Sequence, residues 1–146
     1  MNVLSLIRSR FSAAIVKLTE ASPLPADEIA GLVDMVRPSQ DPKFGDYQAN
    51  CAMPLGKRLG QPAREVAQKI VEHLDWNDVG APPEVAGPGF INLRLNDGWL
   101  VQHLSRAAQD ERLGVAKADE PRTYVVDYSA PNVAKPMHVG HIRSTA

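Results

Sequence analysis

Leu4, Ile7, Phe11, Ile15 and Leu18 recur every three or four positions, with Arg8, Arg10 and Lys17 between them. One apolar stripe on that period predicts an amphipathic helix running to about Glu20. The prolines of "ASPLPADE" end it, and Asp27 is placed to cap a short turn. In "GLVDMVRPS", Leu32, Asp34 and Val36 alternate with Val33, Met35 and Arg37. The two-residue period and the β-branched content predict a strand. "SQDPKFGDYQAN" predicts a turn, eased by Gly45, and a second short strand over about Asp46 to Asn50. "NCAMPLGKRLG" returns to helical spacing and stops at Gly60. "QPAREVAQKIVEHLDW" sets Pro62 near a first turn and lines Val66, Ile70 and Leu74 along one face. In "PPEVAGPGFINLRLN" the turn Gly87-Pro88-Gly89 divides two extended runs anchored by Phe90, Leu93 and Leu95. A last helix is capped by Asn96 or Asp97 and terminated by Gly114.

Strands and helices grouped in this order predict the α+β class: a two-layer sandwich of helices on a mainly antiparallel four-stranded sheet. "GVAKADEPR" is a polar linker, and "TYVVDYS" beyond it is a short apolar strand of a different kind. Trp76 and Trp99 are assigned to partial core, and His73 and His103 to surface or packing roles. The chain has 146 residues, 44% of them hydrophobic, enough to bury a core without disulfides or metal. Its formal net charge of −1 offers no bulk attraction to nucleic acid, so any such contact must be local. Cys51 is the single cysteine, which excludes an intrachain disulfide, suits a reducing cytoplasmic setting and reads as a buried small hydrophobe. The basic, acid-free first helix shares its bias with mitochondrial presequences, but its apolar stripe assigns it to the domain. No apolar run approaches the roughly 20 residues of a membrane span.

The chemistry concentrates in "DYSAPNVAKPMHVGHIRSTA", Asp127 to Ala146. With Tyr124–Asp127 as a buried parallel strand and His141 opening a helix, this is a strand–loop–helix unit of the kind that receives phosphates. Gly140 lets a nucleotide lie against the backbone. Ring N–H groups of His138 and His141 can donate to phosphate oxygens, Lys135 adds a point charge, and Pro136 keeps Lys135 extended. Two histidines three residues apart could also hold a metal, but the motif brings no cysteine or free carboxylate to complete a site, and none is assigned.

"SAPNVAKPMHVGHIRST", "FGDYQANCAMPLGKRLG" and "GPGFINLRLN" together resemble the arginyl-tRNA synthetases. His138-Val139-Gly140-His141 is similar to the HIGH signature of the class I enzymes, and the Pro-Asn, Lys-Pro and Arg-Ser-Thr around it are similar to the arginyl version. The resemblance covers nearly the whole chain. It implies an N-terminal additional domain over residues 1–120, which reads the tRNA elbow. Residues 121–146 are implied to be the truncated first strand and signature loop of a Rossmann-like catalytic domain. The implied parent is a cytoplasmic, monomeric arginine–tRNA ligase. It uses ATP with Mg2+, L-arginine and tRNA(Arg), with no tightly bound cofactor and no membrane.

Residue by residue, the resemblance makes His138, His141 and Lys135 catalytic, and His138, Gly140, His141 and Lys135 ATP-binding. Asp127, Ser129, Asn132 and His138 match arginine-binding positions. Phe90 and Asn92 match tRNA contacts, an aromatic for stacking and an amide for a base edge, although Phe90 reads equally well as core. Lys57 and Arg58, in the densest basic run, are either phosphate contacts or a solvated helix face. The expectation is a piece of the parent, inactive alone, whose tail over residues 122–146 is either disordered or paired with an exposed strand edge, that of another copy included. A freestanding RNA-binding module and a small HxGH nucleotidyltransferase remain the alternatives.

Overall fold

A computed structural model describes residues 2–115, 117–125, 136 and 138–140. Asn2 caps helix α1 (Val3–Leu18), its side chain accepting from the Leu4 N–H at 2.9 Å. The apolar stripe buries Ile7, Phe11 and Ile15 completely, with Leu4 and Leu18 packed at the margin. The helix stops two residues short of Glu20, where the buried Thr19 hydroxyl donates to the Ile15 carbonyl at 2.8 Å.

The strand expected over "GLVDMVRPS" is corrected. Helix α2 (Ala26–Val33) takes the first three of those residues, and strand β1 is only Val36–Pro38. Ile29, Leu32 and Val33 lie three and four apart and all meet the core, so helical packing overrides the β-branched content. Pro25 holds the N-cap position and Asp27 sits within the first turn, which displaces Asp27 from the capping role expected of it.

A 3-10 turn over Pro42–Phe44 leads to strand β2 (Tyr47–Ala49). Gly45, with φ of 94°, lets the chain pass against the end of the neighbouring strand. A Cβ there would lie 2.4 Å from the Leu93 carbonyl oxygen. Helix α3 (Ala52–Leu59) ends on Gly60 in the left-handed conformation, and helix α4 (Ala63–His73) follows Pro62 at its N-cap. Strands β3 (Glu84–Ala86) and β4 (Phe90–Leu93) flank the Gly87-Pro88-Gly89 turn. Gly89 closes against α4, since a Cβ there would come within 2.9 Å of the Ala63 carbonyl oxygen.

All pairings are antiparallel, in the order β1-β2-β4-β3. The register aligns Val36, Ala49, Ile91 and Val85 in one row facing the helices. Helices α1 and α4 cover that face, giving the expected two-layer α+β sandwich. Of the expected anchors of "PPEVAGPGFINLRLN", Leu93 is fully buried, whereas Phe90 and Leu95 are only partly so and Ile91 fills the core. Cys51 is buried, and its burial pushes the thiol up to about 12. Trp76 is buried and donates from Nε1 to the Ala81 carbonyl at 2.8 Å. Trp99 packs at the core margin and stacks on His103 at 4.9 Å.

Helix α5 (Asp97–Gln109) begins at Asn96, whose side chain accepts from the Gly98 N–H at 2.8 Å. It ends before Gly114, because Asp110 is already extended and its carboxylate takes the Gly114 N–H at 2.9 Å. Met1–Ala116 form one compact unit and Lys117–Ala146 a second. In the second, Tyr124 and Val125 are 77% and 94% exposed and belong to no strand, so the start of the expected buried strand is not formed. Strand formation needs a paired neighbour, which these two lack. Val126 and Asp127, the rest of that strand, lie outside the described residues.

Candidate nucleic-acid interface and signature segment

The face of the sheet turned away from the helices is built by alternation. Register aligns Arg37, Gln48, Asn92 and Glu84 in one row across the four strands. Phe90 lies two residues from Asn92 on the same strand and therefore on the same face. Half-buried Phe90 thus lies outside the core cluster, which Ile91 and Leu93 supply from this strand.

Asn92 is held in place by its neighbour. Gln48 donates from Nε2 to Asn92 Oδ1 at 2.7 Å. That bond engages the acceptor end of the Asn92 amide, and its Nδ2 has no acceptor among the described residues. A fixed carboxamide presenting a donor beside an aromatic ring is able to read a base edge while a base stacks.

The loop before β2 frames this face. Phe44 is 39% exposed, and Lys43 Nζ stands 4.7 Å from the centroid of its ring. Lys43 also pairs with Asp41 at 2.9 Å, which holds the Asp41 carboxyl below the usual carboxylate range. Asp46 clamps the end of β4, accepting from the Leu95 N–H at 2.7 Å while its own N–H donates to Leu93 at 2.8 Å. The face carries Arg37 and Lys43 against Asp41 and Glu84, so its charge is mixed. Local shape and donors, not net potential, would have to select a ligand.

Lys57 and Arg58 stand exposed on α3, in the helix layer. Arg58 is engaged by Glu28 of α2 at 3.3 Å. No hydrogen bond or ion pair joins this basic pair to Phe90 or Asn92 among the described residues. Gln48 and Phe44 were not singled out from the sequence. The alternation in "DYQAN", which sets Gln48 opposite to Tyr47 and Ala49, was the available signal.

In the signature segment, His138, Val139 and Gly140 are exposed, and Val139 and Gly140 are helical. His138 Nδ1 accepts from the Gly140 N–H at 3.2 Å. The space a Cβ would take at Gly140 is faced by the His138 ring, 3.0 Å from Cε1. Asp127, Ser129, Asn132, Lys135 and His141 lie outside the described residues. No helix among the described residues is long and apolar enough to cross a membrane.

Residues 5–95 match the family described as the arginyl tRNA synthetase N terminal domain. Residues 103–146 match the class I (R) tRNA synthetase catalytic domain, a match that begins inside α5. An arginine–tRNA ligase of Rhodopirellula baltica is 52% identical over 145 residues, covering 99% of this chain and 21% of the relative. One from Vibrio campbellii is 50% identical over 145 residues, covering 99% and 24%. The chain thus spans under a quarter of the length of these relatives. Among solved structures, the Plasmodium falciparum arginyl-tRNA synthetase superposes with a TM-score of 0.68 at 24% identity, covering 97% of this chain and 26% of that one. The Thermus thermophilus arginyl-tRNA synthetase gives 0.55 at 23% identity, covering 98% and 21%. At those identities the superpositions establish the fold.

Proposed function

The chain belongs to the arginyl-tRNA synthetase family, and from that premise we propose that it forms the N-terminal part of an arginine–tRNA ligase. Its first 120 residues contribute recognition of the tRNA elbow, and residues 121–146 contribute the first part of the site for ATP and arginine. The parent reaction joins arginine to ATP as arginyl-adenylate and passes the arginyl group to the terminal ribose of tRNA(Arg). Mg2+ accompanies ATP as part of the substrate.

The observation that carries the elbow reading is the Gln48–Asn92 hydrogen bond of 2.7 Å. It pre-orders a single carboxamide on the open face of the sheet, on the strand that also carries Phe90. Ordering the amide before binding lowers the entropy lost on association. An aromatic ring and an amide fixed on one face are the complement of an unpaired loop base, stacked on one group and read by the other. Lys57 and Arg58 serve this reading as phosphate contacts at the periphery.

In the signature segment His138, Gly140, His141 and Lys135 bind the ATP phosphates. Charge gathers on those oxygens as the arginine carboxylate attacks the α-phosphorus and pyrophosphate departs, and ring N–H donors stabilise it. Asp127, Ser129, Asn132 and His138 hold arginine, the Asp127 carboxylate suiting its amino or guanidinium group.

The test is titration of the chain with tRNA(Arg) transcripts altered at single D-loop bases. Stacking is worth about 1–3 kcal/mol, so Phe90→Ala should weaken binding roughly 5- to 150-fold while salt dependence persists. Asn92→Ala should relax discrimination at one D-loop position. If both variants fold and bind every transcript like the unsubstituted chain, the elbow contact lies elsewhere.

A further inference from the structure

Beside the Phe90–Asn92 face, the sheet carries a second concavity, whose wall includes Gln48 but neither Phe90 nor Asn92. A cleft of about 360 Å3 is lined by Met35, Arg37, Phe44, Gln48 and Asn50, among others. The space beside Asn92 itself measures about 50 Å3 and also has Phe44 in its wall. Phe44 is therefore the ridge between the two. Ligand pockets run from roughly 300 Å3 upward, so the larger cleft can take a whole nucleotide and the smaller one only a functional group.

Asn50 is part of the wall of the larger cleft. Asn50 Oδ1 is sealed from solvent and has no hydrogen-bond donor among the described residues. An enclosed oxygen without a donor is rare in a folded protein, and it is the other end of this amide that a ligand could meet. With Oδ1 enclosed, the open end of the amide is Nδ2, which has no acceptor among the described residues. Arg37 is exposed and, among the described residues, ties only Nε, to the Asp34 carbonyl at 3.2 Å, leaving its terminal nitrogens for a ligand. Phe44 offers a partly exposed ring. A ring, an amide donor and a guanidinium in a cleft of this size match a base, its carbonyl edge and its phosphate.

We propose that this cleft is a second nucleotide subsite, taking an unpaired RNA nucleotide adjacent to the one at Phe90 and Asn92. The inference rests on the elbow reading of that face. Its test is binding of the chain to tRNA(Arg) transcripts made abasic at one D-loop position at a time. Asn50→Asp keeps the shape of the side chain but replaces the donor, and should weaken binding about tenfold. That loss should vanish on one abasic transcript, a different one from the transcript on which the Phe90→Ala loss vanishes. Arg37→Gln, at an exposed position that leaves the fold intact, should weaken binding several-fold. It should also flatten the slope of log K against log salt by about 0.7–0.9, the mark of one lost phosphate contact. If Asn50→Asp fails to fold, Arg37→Gln decides the question alone. Unchanged binding by Arg37→Gln and any folded Asn50→Asp, with Phe90→Ala weakened, overturns the subsite and leaves the elbow reading standing. Unchanged binding by all of them overturns both. An Asn50→Asp loss that persists on every abasic transcript overturns the subsite as well, since no base then meets Asn50.

Discussion

Asn92→Asp separates the two jobs assigned to this side chain. The Gln48 Nε2 bond at 2.7 Å goes to Oδ1, an acceptor that the substituted side chain retains. Acquiring a charge strengthens that bond. Two effects oppose it. The position is only 9% exposed, so the charge is partly desolvated, and Glu84 faces it directly across the strand pair. A like-charge cross-strand pair costs roughly 0.2–1 kcal/mol. The opposing effects should leave net stability within about 1–2 kcal/mol, small against the roughly 5–15 kcal/mol of a typical domain. Binding should respond far more. The outward Nδ2 donor becomes a carboxylate oxygen, which loses a hydrogen bond and repels the RNA. Together these are worth roughly 2 kcal/mol, or about 30-fold in affinity. Burial and Glu84 both raise the pKa of the introduced carboxyl, so part of the affinity should return as pH falls and the protonated acid donates again. Fluorescence anisotropy with labelled tRNA(Arg), alongside urea melts, measures both quantities. A folded variant binding within twofold of the unsubstituted chain at neutral pH would refute the claim that the Asn92 donor reads the RNA.

Gly45→Ala should destabilise the first unit by roughly 3 kcal/mol, combining an unfavourable φ with a backbone clash. The clash is with the Leu93 carbonyl, 2.4 Å from the added Cβ, and a thermal melt should show Tm lowered by more than about 10 °C. Arg10 holds Asp78 at two points, one of them 3.0 Å, and depresses the Asp78 carboxyl. A depressed folded-state pKa stabilises above the unfolded value and is lost as pH falls through the folded one. Asp78→Asn should therefore cost up to about 1 kcal/mol in urea melts at pH 7 and nothing once the carboxyl is protonated. The 146-residue chain alone should catalyse no arginine-dependent ATP–pyrophosphate exchange, because His138 and Gly140 are exposed and a reacting nucleotide needs an enclosing pocket. Exchange abolished by His141→Ala would contradict this.

By itself the sequence determined whatever depends on local period, caps and motif. The stripe from Leu4 to Leu18, the stop at Gly60, the Gly87-Pro88-Gly89 turn and the Asn96 cap are all visible within a few residues of where they act. The signature around His138 was likewise legible, because its residues are contiguous. Tertiary structure decided the rest. Residues 32–37 alternate well enough for a strand, and only the packing of Ile29, Leu32 and Val33 against the core selects the helix up to Val33. Pairing between strands 44 residues apart in the chain brings Gln48 to Asn92. It also decides which side of β4 meets the helices, burying Ile91 while Phe90 remains on the open face. Phe90 read equally well as core or contact, because a strand's alternation fixes which residues share a face but not which face the helices cover.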